Sequence, residues 1–427
     1  MTVLDIKWIR QNEEWVQTIA YQKGIDVSIP QLIELDDRRR QLLQELEQLR
    51  QQRNKRTEQI KALIYSNGAE ELDELKRSVK EINAALAETD NKYRDLEQKF
   101  KEKMLLVPNI VSPDTPIGKS DQDNVELRMV GDRTAFDYEP RDHVALGELH
   151  GMIDIPRGVK TAGTRNYYLK GVGVALQRAV QQLTLDLLMR NGFTLLEVPL
   201  MVRTEALFNT GFFPLGEDQT FKIENEDKWL VGTSEVPLIA YYGNETVDVS
   251  EPIKLAAISQ CFRSEVGSAG KDVQGLYRVH QFSKVEQVIL CEASLEQSEL
   301  LLQEITAHAE ELLRLLELPY RVVAVCTGDM SQKTYKQMDI ETWMPSRDAY
   351  GETHSSSNLL DFQARRSNIK YRDADGNNRF CYTLNNTAIA SPRILIPLLE
   401  NHQEADGSIR IPAALRPYMS GMERIQA

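Results

Sequence analysis

Arg263 and Glu265 follow an apolar approach, "KLAAISQCF", and a Gly-rich loop separates them from a second strand-like run carrying Arg278, His280, Phe282, Lys284 and Glu286. Side chains of an extended chain repeat every two residues, so Arg263 and Glu265 share a face, as do the five on the returning run. Such a hairpin holds a cationic, aromatic and acidic surface above a sheet. Burying that much charge is costly unless it is paired or meets a ligand. The ordinary alternative is an exposed hairpin with salt-bridged faces.

Three further stretches weigh against that alternative. "LVGTSEVPL" sets Thr233, Ser234 and Glu235 at the end of a short apolar run. "YGETHSSSNLLDFQARRSN" gives Glu352, Thr353, His354 and Ser355, then an alternating strand through Asp361, Gln363 and Arg365. "YTLNNTAIASPRILIPLLENHQ" brings Asn385, Asn386 and Thr387 before Arg393, at the head of an amphipathic helix. Singly these are a capping Thr, a solvated Glu and a helix-terminal Arg; in this order together they form a constellation.

The elements needed to position these residues are legible. Val174 to Arg190 reads as a helix with Leu176, Val180, Leu183, Leu187 and Leu188 on one face, stopped by Asn191-Gly192. "TLLEVP" reads as a strand ended by Pro199, and "KWLVGTSEVP", "KLAAISQCFRSE" and "RVHQFSKVEQVIL" read as strands joined by hairpins. The result is a largely antiparallel sheet. Neither a G-x-G-x-x-G nor a G-x-x-x-x-G-K-[ST] stretch is present, so Rossmann and P-loop nucleotide binding are not indicated.

The N-terminal part is different. Leu32 to Lys103 is nearly free of Gly and Pro. Its second half repeats Leu72, Val79, Leu86, Tyr93 and Phe100 in one heptad register and Leu75, Ile82 and Leu96 in another. Its first half repeats Leu35, Leu42, Leu49 and Leu63 with Leu32, Leu46 and Ile60, a seam interrupted by Arg39, Arg53 and Arg56. With a turn at Asn67-Gly68, this predicts two long helices folded back as an antiparallel coiled coil. Arg38, Arg39, Arg40, Arg50, Arg53, Lys55, Arg56 and Lys61 crowd its first helix. Charge runs are most often solvated faces; the alternative is a basic arm for a phosphate backbone. Pro108 to about Gly131 is rich in Pro, Asp and Ser and reads as a linker. The domains are therefore 1–107, with the arm over about 32–103, a linker at 108–131 and a mixed α/β domain at 132–427, which the resemblance below makes the catalytic one.

The 427 residues bear a formal net charge of −13, which taken alone counts against nucleic acid as a partner. Met1 to Arg10 lacks the apolar run of a signal peptide, and no stretch has the apolar length of a membrane span. Cys261, Cys291, Cys326 and Cys381 are scattered, which fits a reducing, cytoplasmic setting without structural zinc or disulfides.

Phe262–Gln287 is similar to motif 2 of the class II aminoacyl-tRNA synthetases, and the helix, strand and proline ending at Pro199 resemble motif 1. "PRILIPLLEN" at 392–401 resembles motif 3. Thr233–Glu235, Ser355–Arg366, "LDIKWIRQN" and "IPAALRPYM" resemble the bacterial-type seryl branch over almost the whole chain. The resemblance implies an α+β protein, with an antiparallel class II catalytic sheet flanked by helices and a long helical arm. It implies activation of L-serine with ATP and Mg²⁺ to seryl-adenylate, then transfer to tRNA-Ser, with tRNA-Sec a further acceptor.

The roles it implies fall on residues of suitable chemistry. Arg263 would bridge the α-phosphate and the serine carboxylate, Glu265 would accept from the adenine amino group, and Phe282 would stack on the base. Arg278 and Arg393 would hold the outer phosphates, and Glu352 and Ser355 would ligate Mg²⁺. Arg263, Glu352 and Arg393 would be catalytic; Ser264, Val279, Thr353 and His354 would complete the ATP site. Thr233, Ser234, Glu235, Arg263, Glu286, Asn385 and Thr387 would form the serine pocket. Arg38, Arg39, Arg50, Arg53, Lys55 and Arg56 would meet tRNA, and motif 1 around Pro199 would build a homodimer. The chain departs from the family's pattern at Pro392, Thr353-His354, Asn386 and Asn166, which admits a second, specialised copy of such an enzyme. A ligase that loads carrier proteins would lack the arm, and a non-catalytic paralogue would have lost Arg263, Arg393 or Glu352; neither loss is seen.

Overall fold

The computed structural model describes residues 5–64, 69–266 and 275–427, in two compact units. The first comprises 5–21 and 25–107. Within it lie α1 (Ile6–Gln11), α2 (Glu13–Gln22, whose last residue groups with the second unit), α3 (Ile29–Leu63) and α4 (Ala69–Leu106). Asp5 caps α1 by accepting from the Lys7 amide at 2.8 Å, and Ser28, followed by Pro30 in the first turn, caps α3.

Helices α3 and α4 run antiparallel: Arg39 meets Glu97, while Arg50 further along α3 reaches back to Asp90. At 1.5 Å per residue each extends about 50 Å. Every heptad position expected in α4 is buried or half-buried, as the 3.5-residue period demands. The base of the hairpin is an apolar cluster that includes Ile9, Val16, Ile29, Leu32, Phe100 and Met104. The expected Asn67-Gly68 turn lies outside the described residues.

The second unit is built on an eight-stranded sheet. Its strands are β1 (Val125–Val130), β2 (Thr194–Leu195), β3 (Ile253–Phe262), β4 (Gln281–Cys291), β5 (Tyr320–Ala324), β6 (Lys336–Met344), β7 (Ala349–Asn358) and β8 (Tyr382–Ser391). They lie in the order β1-β5-β6-β7-β8-β4-β3-β2. All neighbours are antiparallel except the short β2–β3 pair. The main core packs α5 (Val172–Arg190) and α6 (Leu295–Leu315) against this sheet. As expected, α5 ends at Asn191, and Gly192 takes φ of 83°, a conformation open to Gly without a Cβ penalty.

Two stretches depart from their sequence reading. Residues 125–130, expected in a linker, form edge strand β1 paired with β5, because "VELRMV" alternates well enough to complete a sheet edge. Residues 362–367, expected as a strand, form the short helix α7 (Phe362–Ser367). Asp361 and Arg365 are four apart, and their 2.6 Å ion pair belongs to helical geometry. Among the described residues no helix is long and apolar enough to cross a membrane.

Candidate active site

Strands β4, β7 and β8, with Gln337 of β6 and Arg263 just past the end of β3, line a cavity of about 250 Å³. Alternation puts Phe282, Lys284 and Glu286 of β4 on the cavity face, and Asn385 and Thr387 of β8. Glu352 and Ser355 of β7 also line it, although they are three apart and a regular strand would point them opposite ways. A bulge resolves this: opposite β7 the register slips between Ile340 and Glu341, so Thr353 is the extra residue.

The floor holds two buried ion pairs. Lys333 Nζ lies 2.5 Å from Glu235 Oε1, and Lys284 Nζ lies 2.5 Å from Glu286 Oε2. Gln363 of α7 donates to the same Glu235 oxygen at 2.6 Å, while its own carbonyl oxygen accepts from Thr383 at 2.9 Å. Thr233 accepts from the Glu235 amide, and Thr387 Oγ1 lies 3.5 Å from both Lys284 Nζ and Glu286 Oε2. Burial pushes the Glu286 carboxyl above its ordinary range, with Lys284 opposing; burial pushes the Lys333 ammonium down, with Glu235 opposing.

Above the floor, Arg263 Nε donates to the Gly232 carbonyl at 3.3 Å and its guanidinium lies 5.3 Å from the Phe282 ring centroid. Among the described residues its two Nη groups have no protein partner, leaving the fork for an anion. Glu265 takes φ of 51°, a strained conformation for a non-glycine residue, and its carboxylate lies 3.3 Å from Arg278. Arg393 donates from Nε to the Tyr277 carbonyl at 3.2 Å and from Nη1 to the Glu352 carbonyl at 3.2 Å, with the Glu352 carboxylate at 3.5 Å.

Of the expected residues, Ser234, Ser264, Arg278 and His354 stand outside the lining. The Ser234 hydroxyl points to the Ala257 carbonyl, Ser264 donates to the Asp218 carbonyl, and Arg278 faces Glu265. His354 projects to the other side of the sheet, where it is fully buried with Nδ1 2.8 Å from Thr353 Oγ1. Burial pushes its pKa down to about 3. Asn386 also faces away, donating to Gln287 and to the Ile305 carbonyl of α6. His354 and Asn386 are therefore packed behind the sheet, whereas Thr353 and Pro392 line the cavity. Asn166 ties down its own loop by donating to the Ala162, Gly163 and Thr164 carbonyls.

Sequence reasoning missed Lys333 and gave no role to Lys284 or Gln363. Lys284 was already on the functional face by alternation. Lys333 gives no periodic signal, since it reaches Glu235 across 98 positions of sequence.

The arm's cations divide into two groups. Arg39 is half-buried, bonded to Asp36 at 2.7 Å and Glu97 at 3.0 Å, with its guanidinium 4.6 Å from the Phe100 centroid. Arg38, Arg50, Lys55 and Arg56 are exposed, and Arg53 is partly so.

A family model described as the seryl-tRNA synthetase N-terminal domain matches residues 3–111, and the tRNA synthetase class II core domain (G, H, P, S and T) matches 219–402. The serine–tRNA ligase of Deinococcus radiodurans is 43% identical over 422 residues, covering 99% of this chain and 98% of the relative. The chain belongs to the seryl-tRNA synthetase family. The Rubrobacter xylanophilus serine–tRNA ligase is 41% identical, with 98% of each chain covered. Seryl-tRNA synthetase from Pyrococcus horikoshii, solved with ATP, superposes with a TM-score of 0.89 at 37% identity over 99% of each chain. Membership of this family makes the chain a ligase that forms aminoacyl-tRNA from serine and tRNA.

Proposed function

We propose that the cavity over β4, β7 and β8 activates L-serine with ATP. The observation that carries this is the pair of buried Glu–Lys contacts beneath an arginine fork, an arrangement suited to a small zwitterion lying under a nucleotide. Glu235 would pair with the serine ammonium, and Glu286 with Thr387 would take its hydroxyl; Thr233 and Asn385 would complete the pocket. Arg263 would hold the serine carboxylate against the α-phosphate, Phe282 would stack on adenine, Glu265 would accept from its amino group, and Val279 would close the base site. Arg278 and Arg393 would take the outer phosphates.

The serine carboxylate oxygen attacks the α-phosphorus, forming the acyl-phosphate bond as the bond to pyrophosphate breaks. A terminal ribose hydroxyl of tRNA then takes the seryl group and AMP leaves. The protein contributes position and fixed positive charge and needs no covalent nucleophile.

Mg²⁺ fits the site in a limited way. Among the described residues no group of three or more His, Cys, Asp or Glu could hold a metal. The Glu352 carboxylate and Ser355 hydroxyl are hard oxygens, which suits an ion that takes its remaining ligands from phosphates and water. When bound, Mg²⁺ would neutralise phosphate charge.

The exposed arginines of α3, with Lys55, would meet the tRNA backbone. Arg39, engaged by Asp36, Glu97 and Phe100, is better placed to hold the arm together. A homodimer through α5 and the Pro199 segment is supported by the large apolar side chains left exposed beside it, Met189 and Met201. Four buried free cysteines are compatible with a cytoplasmic location.

Serine-dependent ATP–pyrophosphate exchange, run beside charging of tRNA-Ser, tests the reading. Exchange and charging by the wild type, with charging alone reduced in Arg50→Glu/Arg53→Glu, is expected. Exchange with alanine but not serine would overturn the pocket assignment, and charging untouched by the double substitution would overturn the arm assignment.

A further inference from the structure

Tyr277 lines the cavity, and two guanidinium groups sit over its ring: Arg347 at 4.3 Å from the centroid and Arg393 at 4.5 Å. Arg393 is held twice by this residue, because its Nε also donates to the Tyr277 carbonyl at 3.2 Å. Arg347 comes from the short turn Pro345–Arg347 between β6 and β7, far in sequence from both. The neighbourhood is tight around the ring. A Cβ at Gly351 would fall 2.9 Å from Met344 Cε and 3.2 Å from Tyr277 Cε2, so a side chain at 351 would press on the ring or on Met344.

A cation over an aromatic face is attracted by the ring quadrupole, and more strongly where water is excluded. Glu352, the carboxylate nearest Arg393, is itself a candidate metal ligand.

We infer that Tyr277 is a positioning residue for the outer phosphates: its carbonyl and ring set the Arg393 guanidinium, and its ring carries Arg347 as a second cation for ATP and departing pyrophosphate. This rests on the reading of the cavity as an ATP site. It gives Arg347 and Tyr277 roles in phosphate binding and none in serine binding.

The test measures KM for ATP, pyrophosphate and serine in the exchange reaction with Tyr277→Leu, Tyr277→Phe and Arg347→Gln. Tyr277→Leu should raise the ATP and pyrophosphate constants about tenfold, the scale of a lost desolvated cation–π contact, while serine stays within about twofold. Tyr277→Phe, which keeps the ring, should restore them, and Arg347→Gln should raise the pyrophosphate constant several-fold. The inference is overturned if Tyr277→Leu moves none of the constants or moves all three alike, or if Tyr277→Phe fails to restore them. If Tyr277→Leu does not fold, Arg347→Gln decides, and an unchanged pyrophosphate constant overturns the proposal. Absence of serine-dependent exchange in the wild type would instead break the underlying ATP reading. Calorimetry with pyrophosphate alone then decides: weaker binding by Arg347→Gln supports the inference, and equal binding overturns it.

Discussion

The arm and the cavity both carry many charges, but they hold them differently. On the arm, pairs such as Arg38–Glu34 at 3.4 Å and Lys61–Glu58 at 2.9 Å are local and solvated, with every partner more than half exposed. In the cavity, Lys333–Glu235 and Lys284–Glu286 are almost completely buried; the first ties a loop to a helix start 98 positions away, and the second joins two residues on one face of β4. Exposed pairs contribute about 0–1 kcal/mol and exchange partners freely. A buried pair is costly to assemble and costlier to break, because removing one partner strands the other charge. The arm's charges are thus free to be redirected to a polyanion, while the cavity's are fixed in place before a ligand arrives.

The largest effect that would sharpen this contrast is catalytic. Arg263→Ala should lower the exchange rate by about 10²–10³-fold, as expected for loss of a fixed charge aimed at the reacting group. A loss below about threefold would show that Arg263 does not bear on the α-phosphate. Glu235→Gln leaves Lys333 buried without its counter-charge and should cost roughly 3–5 kcal/mol in denaturant unfolding, along with a weaker response to serine. An unchanged midpoint would mean that water already reaches this pair.

His354 offers a pH test. Its folded-state pKa of about 3 lies below the unfolded value near 6.5, so the unfolded chain binds the extra proton between those limits. Stability therefore rises with pH through that window and is lost on acidification, by about 1.4 kcal/mol per pH unit at steepest. His354→Gln should remove this slope when wild type and variant are compared from pH 4 to 6. Identical slopes would mean that the imidazole is protonated in the folded protein.

The smallest effects separate arm residues from one another. Arg39→Ala should destabilise by about 1–2 kcal/mol, since it loses charge-assisted hydrogen bonds to Asp36 and Glu97 as well as its stacking on Phe100. Arg38→Ala should change stability by less than about 0.5 kcal/mol. Equal losses at the two sites would break the division between cations that hold the arm together and cations left over for RNA.

Much of this was legible in the sequence because two periods carry it. The heptads located the arm, and strand alternation put Phe282, Lys284 and Glu286 on one face. Alternation also had the means to turn His354 and Asn386 away from the cavity, had the bulge at Thr353 been foreseen; a bulge depends on how the neighbouring strand pairs. Gln363 was given to a strand because six residues are too few to separate a period of two from one of 3.6. The i,i+4 spacing of Asp361 and Arg365 was the available clue. Lys333 was beyond reach, since its importance comes from tertiary contact alone. Arg39 shows what residue type leaves out: a side chain read as RNA-binding is engaged by Asp36, Glu97 and Phe100.

The two buried pairs have formal charges that cancel, so the floor of the cavity is itself a compact zwitterion. On the proposed assignment serine would enter without altering the net charge of the pocket, and its affinity should be nearly indifferent to ionic strength. The triphosphate, which brings net charge to an arginine-lined roof, should lose affinity steeply as salt is added. Within one cavity, then, the neutral substrate would be selected by the alignment of dipoles and the charged one by the summed field.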